Sequence, residues 1–221
     1  MGKIAVNNEK KKLVFNLILF SLNIVYIFFL AIFFHGETLS YLYGVVLSII
    51  FILTVFSIKG KGNFYTYFVV VTILILWLAQ FYDRKILGQI SGVITILFFI
   101  SAIVNLIKRI SRSAKVTPLV FIEAINIFFL LGIIGSVLFK FVYNIDPASF
   151  TRPVDGNMAA FDFIYYSFVT LTTLGYGDIS PVHPLARSFA IMLSVTGQLY
   201  LTMIIAMLVG KYIGGLENNE E

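Results

Sequence analysis

Six long apolar runs decide what this chain can fold into. They cover Leu13–Phe34, Tyr41–Ile58, Phe64–Tyr82, Ile86–Ile107, Leu119–Tyr143 and Leu185 to about Ile213. About 20 mostly apolar residues carry a helix across the hydrocarbon core of a bilayer, and each run is near or above that length. All five prolines, Pro118, Pro147, Pro153, Pro181 and Pro184, lie outside the runs, so none breaks a helix within them. Hydrophobic residues make up 59% of the chain and charged residues only 12%, where a soluble domain carries roughly 25% charge. A soluble enzyme and a disordered chain are thereby excluded, as is a disulfide scaffold, since the chain has no Cys. The expected class is an all-α integral membrane protein of six spans.

The first run follows Lys10-Lys11-Lys12, as the apolar core of a secretory leader would. It is longer than the roughly 7–15 residues of such a core, and Phe33-Phe34-His35-Gly36 offers no small-residue cleavage site. It reads as a retained helix. With the N-terminus in the cytoplasm, eleven of the sixteen Lys and Arg residues fall in inner segments and five in outer ones. The excess of inner positive charge supports that orientation. Both termini are then cytoplasmic, and residues 144–184 face outward. The net charge of +5 sits at the ends of apolar runs, which points to membrane orientation and not to nucleic acid. Residues 214–221 are too few to fold as a ligand-sensing domain.

The outward segment carries the chemistry. Phe161–Leu174 is apolar, and as a helix it would span about 21 Å, short of the roughly 30 Å hydrocarbon core. It is expected to enter the membrane and return, with Asp162 in its first turn favourably placed against the positive helix end. Thr172-Thr173-Leu174-Gly175-Tyr176-Gly177-Asp178 follows. Its alternating glycines permit positive φ, so successive carbonyls can face one way. Unpaired backbone at membrane depth is tolerated only where it is buried in protein or lines a water-filled cavity. Carbonyls aimed at a shared axis replace the water shell of a cation. One chain supplies one such strand, so a closed ring demands an oligomer.

Thr-Leu-Thr-Thr-Leu-Gly-Tyr-Gly-Asp, residues 170–178, resembles the selectivity-filter signature of the potassium channel family, with Leu174 where that signature has Val. The resemblance covers residues 119–213. It implies a pore domain of outer helix, re-entrant pore helix (161–173), filter (173–178) and inner helix (185–213), assembled as a homotetramer. Thr173, Leu174, Gly175, Tyr176 and Gly177 would then bind K⁺, with Thr172, Asp178, Tyr165 and Tyr166 supporting the filter. Gly197 falls where the family often has an inner-helix hinge. Gly210 is a second candidate, and for both the competing reading is close helix packing. The implied activity is passive K⁺ conduction, with no catalysis, no cofactor and no transition-metal site; His35 and His183 are isolated. A weakly selective cation channel and an ion-coupled transporter are the rival readings. By resemblance the location is a plasma membrane, of the bacterial inner-membrane type.

Residues 1–12 form an inner tail, and residues 13–107 a four-helix peripheral domain laid out like that of voltage-gated channels. The fourth run, Ile86–Ile107, holds no charge. Gating charges must cross the membrane field to draw energy from it, so little or no voltage sensing is expected. Residues 108–118 form a basic linker in which Lys108, Arg109, Arg112 and Lys115 are candidate ligands of anionic lipid headgroups. Glu123, one turn inside the fifth run, is expected to pair with Arg109, Arg112 or Lys115.

Overall fold

The structure, a computed structural model, describes residues 2–58, 64–82, 85–113, 116–151 and 158–217. Among the described residues six helices are long and apolar enough to cross a membrane: Lys10–Phe33, Gly36–Ile58, Tyr65–Tyr82, Ile86–Arg112, Pro118–Ile145 and Pro184–Ile213. The chain is a multi-pass, all-helical membrane protein. Its first rod is α1 (Gly2–Ile24), a π-helical turn over Val25–Phe29, and α2 (Leu30–Phe33). Next come α3 (Gly36–Ile58), α4 (Phe64–Tyr82), α5 (Lys85–Arg112), α6 (Pro118–Ile145), α7 (Ala160–Leu171) and α8 (Pro184–Glu217).

Local chemistry sets several of these boundaries. Pro118 occupies the first turn of α6, where its missing N–H costs nothing, and the Thr117 side chain accepts from Val120 N–H at 3.4 Å. Asp162 closes the start of α7 by accepting from the Ala159 N–H at 2.7 Å. At the start of α8, His183 Nδ1 accepts from Leu185 N–H at 3.2 Å. Two-residue strands β1 (Phe150–Thr151) and β2 (Ser180–Pro181) pair antiparallel and pin together the two ends of the segment between α6 and α8.

Helix α6 is the hub, packed against α1, α5, α7 and α8. On its peripheral side Phe51 of α3 stacks on Phe99 of α5 with ring centroids 4.7 Å apart, and Phe98 meets both edge-on. On its other side Phe139, Phe150 and Tyr166 form a second cluster, with centroids 4.6–5.9 Å apart.

A buried polar network ties four helices together at one end of the bundle. Arg109 of α5 donates from Nε to Glu123 Oε2 of α6 at 2.9 Å, and a second guanidinium nitrogen lies against Glu123 Oε1. Arg109 also donates to the backbone carbonyl of Ser57 at the end of α3. Ser57 Oγ donates to Asn16 Oδ1 of α1 at 2.8 Å, and Asn126 of α6 donates to the Asn16 carbonyl at 2.9 Å. Glu123 is 1% exposed and Arg109 25%. Buried charge is retained only when paired and hydrogen-bonded, and here the pairing fixes how the peripheral helices seat on α6.

Residues 108–112, the first part of the basic linker, are the last turns of α5, which ends at Arg112. Within them Arg109 is turned inward onto Glu123 and Ser57. Lys108 and Arg112 are exposed on the last turns of α5, and Lys115 lies outside the described residues. The C-terminal part of α8 is fastened to the same place: Lys211 Nζ donates to the carbonyls of Ile110 at 2.6 Å and Ser111 at 3.1 Å. A cation there meets the negative end of the helix dipole.

Candidate functional site

Helix α7 has twelve residues, about 18 Å of helix. It sits in a notch that glycines cut into α6. A Cβ at Gly132 would lie 2.2 Å from the Phe168 ring, and one at Gly135 2.3 Å from Ser167 Oγ. Ser167 Oγ, fully buried, donates to the Gly132 carbonyl at 2.6 Å. The C-terminus of α7 is approached equally closely from α8, where a Cβ at Gly197 would lie 2.2 Å from the Leu171 carbonyl oxygen. Gly210 has nothing within 4 Å of such a Cβ. The backbone thus comes close at Gly197 and is open at Gly210.

The helix stops at Leu171, two residues before the expected end, because Thr173 turns left-handed at φ +61°. Thr173 N–H donates to the Thr170 carbonyl at 3.0 Å, and Leu174 N–H to the Val169 carbonyl at 3.0 Å. This paired bonding is the usual closure of a helix C-terminus, in which the left-handed residue is most often Gly. Here it is Thr, the one non-glycine residue with positive φ among the described residues. Gly175 (φ +58°) and Gly177 (φ +81°) continue the alternation, while Leu174 and Tyr176 between them keep negative φ. Such an alternation permits successive carbonyls to face one side of the segment.

Residues 173–177 are exposed in the single chain, Leu174 at 59% and Tyr176 at 67%. Most of the Leu174 side chain is therefore uncovered in the single chain. A cleft of ≈ 330 Å³ separates this strand from α7 and α8, lined by Tyr166, Thr170, Thr173, Gly175 and Ser194 among others. The four residues expected to support the filter make different contacts. Tyr165 Oη donates to Asp178 Oδ2 at 2.6 Å, tying α7 to the far end of the strand. The other Asp178 oxygen accepts from Ile179 N–H at 3.0 Å. Tyr166, 5% exposed, packs against Phe139 and Phe150. Thr172 Oγ1 donates back to the Phe168 carbonyl at 2.6 Å, so its hydroxyl belongs to the helix end.

Three contributors were not singled out from the sequence. Ser180 Oγ donates to the Gly177 carbonyl at 3.2 Å, Gln198 Nε2 donates to Thr173 Oγ1 at 3.1 Å, and Ser167 fills the α6 notch. Gln198 did carry a signal, as a polar residue inside the sixth apolar run. Among the described residues no group of three His, Cys, Asp or Glu side chains is placed to hold a metal ion.

Residues 125–213 match the family model described as ion channel. The likeness to that family covers this part of the chain. The match takes in α6 from Ile125 onward, α7, the strand with alternating φ, and most of α8. Over 73 residues, 33% of this chain, the sequence is 32% identical to a two pore potassium channel c of Oryza sativa subsp. japonica. Over 83 residues, 38% of this chain, it is 28% identical to a voltage-gated potassium channel of Aeropyrum pernix. These likenesses support the potassium channel family read from the filter motif. The matched stretches span 16% and 28% of those relatives' own lengths. No solved structure gives a significant match.

Proposed function

We propose that this protein is an ion channel that conducts K⁺ passively and selectively through a pore on the four-fold axis of a homotetramer. The pore unit is residues 119–213, with α7 as the re-entrant pore helix, α8 as the inner helix, and residues 13–107 as a peripheral scaffold. K⁺ is the permeant ion, held by the carbonyls of Thr173, Leu174, Gly175, Tyr176 and Gly177 and by the Thr173 hydroxyl. One observation carries the reading: positive φ alternates at Thr173, Gly175 and Gly177 along a segment with no partner strand among the described residues. Carbonyls aligned this way replace a cation's hydration shell only when several chains bring them to one axis, and the exposed strand leaves room for that assembly. The subunit sits in a plasma membrane with both termini cytoplasmic, which puts the network around Arg109 at the inner face.

The uncharged Ile86–Ile107 stretch of α5 supports conduction that varies little with voltage. Basic residues at its end are Arg109, bound to Glu123, and Lys108 and Arg112 beyond the apolar stretch.

The test is reconstitution of the purified protein in planar bilayers across opposed K⁺ and Na⁺ gradients. A reversal potential that follows K⁺, in unitary steps, is expected. One that follows both ions equally makes the protein a weakly selective cation channel, and ion movement without unitary current makes it a transporter. Native mass spectrometry is expected to find four subunits; a dimer as the largest species overturns the assembly.

A further inference from the structure

We infer that Gln198 of α8 is a positioning residue for the inner end of the filter, and that it acts by locking the hydroxyl of the strained Thr173. The inference rests on the filter reading above and adds to it a residue outside the signature.

Thr173 occupies a left-handed position in a helix closure that glycine fills without strain. For a β-branched residue a positive φ is a genuine outlier, and such strain persists only where the surroundings over-determine it. What Thr adds there over glycine is its side chain. Two bonds hold that side chain. Thr173 Oγ1 donates its one proton to the Thr172 carbonyl at 2.6 Å. It accepts from Gln198 Nε2 at 3.1 Å. A hydroxyl has one donor proton and two lone pairs. The proton is engaged and one lone pair is filled, so a single lone pair is left free, in a fixed direction, for a cation.

Gln198 reaches this hydroxyl because Gly197 precedes it. The absent side chain at Gly197 lets the α8 backbone approach the Leu171 carbonyl, where a Cβ would lie 2.2 Å away. The next side chain is thereby delivered to the turn two residues beyond Leu171. Gly197 supplies the approach and Gln198 uses it.

The test compares the wild-type channel with Gln198→Met, Gln198→Glu, Thr173→Ala and the Gln198→Met/Thr173→Ala double variant, all full-length in planar bilayers. Gln198→Met removes the donor at nearly constant size. Gln198→Glu keeps the shape but offers an acceptor, drawing the Thr173 proton away from Thr172. Both are expected to lower the K⁺/Na⁺ permeability ratio about fivefold, the scale of one lost hydrogen bond, while native mass spectrometry still finds the wild-type oligomer. In the Thr173→Ala background Gln198→Met is expected to change nothing further, because the hydroxyl it positions is gone. A merely structural role for Gln198 predicts the opposite, an equal loss in both backgrounds, and that result overturns the inference. So does a wild-type permeability ratio in both single variants. If Gln198→Met fails to assemble, Gln198→Glu alone decides: an assembled oligomer with an unchanged ratio refutes the positioning role. A wild-type protein that shows no K⁺ preference sinks the filter reading itself, a different result from a selective wild type whose ratio ignores Gln198.

Discussion

Replacing Gly197 with alanine tests whether this position packs or bends. The added Cβ would meet the Leu171 carbonyl oxygen at 2.2 Å, its Cδ1 at 2.8 Å and its carbonyl carbon at 3.2 Å, where ordinary contact begins near 3.4 Å. The first and third of these atoms are backbone at the end of α7 and have no rotamer to change. Helix α8 must therefore retreat by about 1 Å, and overpacking of that kind costs about 1–3 kcal/mol. The rigid partner argues for the upper end. Alanine returns roughly 1 kcal/mol of helix propensity relative to glycine, leaving a net loss of about 2 kcal/mol, or some thirtyfold in an equilibrium constant. Gly210→Ala is the control: nothing lies within 4 Å of its Cβ, so it keeps the propensity gain. The assay is oligomer survival on native gels after graded heating in detergent, alongside K⁺ flux from liposomes. Gly197→Ala is expected to lose oligomer at lower temperature and to lose flux, and Gly210→Ala to match or exceed wild type. A Gly197→Ala protein with wild-type heat resistance and flux would refute the packing argument. One with wild-type heat resistance and altered open probability would establish the hinge instead.

The Arg109–Glu123 pair is expected to fail asymmetrically. Breaking a buried pair costs about 3–5 kcal/mol. Arg109→Met strands the 1%-exposed carboxylate, whereas Glu123→Gln leaves a 25%-exposed guanidinium still bonded to Ser57. Thermal unfolding in detergent should rank Arg109→Met below Glu123→Gln, and the reverse order would show that the Ser57 contact contributes nothing. Tyr165→Phe deletes the 2.6 Å bond to Asp178; bonds to charged groups are worth about 1.5–3 kcal/mol, and this half-buried one belongs at the low end. The variant oligomer should need more K⁺ to reach wild-type heat resistance, and an unchanged K⁺ dependence would remove Tyr165 from the filter's support. Open probability should vary only weakly between negative and positive potentials. A steep activation curve lost on neutralising Lys108, Arg109 and Arg112 would mean that these charges cross the field.

Much of the site was legible because it is written in consecutive residues. Gly175 and Gly177 announce positive φ at alternate positions, and the structure has it at both. The structure extends the alternation to Thr173, which no propensity suggests, since the bonds that hold it come from Val169, Thr170 and Gln198. Asp162 at the first turn of α7 was also readable, being a short-range interaction. Glu123 was expected to meet Arg109, Arg112 or Lys115. In a 3.6-residue helix Arg109 and Arg112 point about 60° apart, and only packing of α5 on α6 decides which faces the carboxylate.

The sequence by itself determined six crossings and a short helix with a glycine-bearing strand. Apolarity over about 20 residues is a local property, and a bilayer lets a backbone cross it only if its hydrogen bonds are satisfied within the segment or the protein. Tertiary structure alone decided the rotational phase of each helix. That phase turned Arg109 inward to Glu123 and Ser57, set Asn16 against Asn126, brought Gly197 onto the carbonyl of Leu171 and carried Gln198 to Thr173. Lipid gives an apolar helix little reason to prefer one face over another, so small residues and polar pairs fix the phase. Their partners lie up to 110 positions away in the chain, a distance over which no pattern in consecutive residues reports.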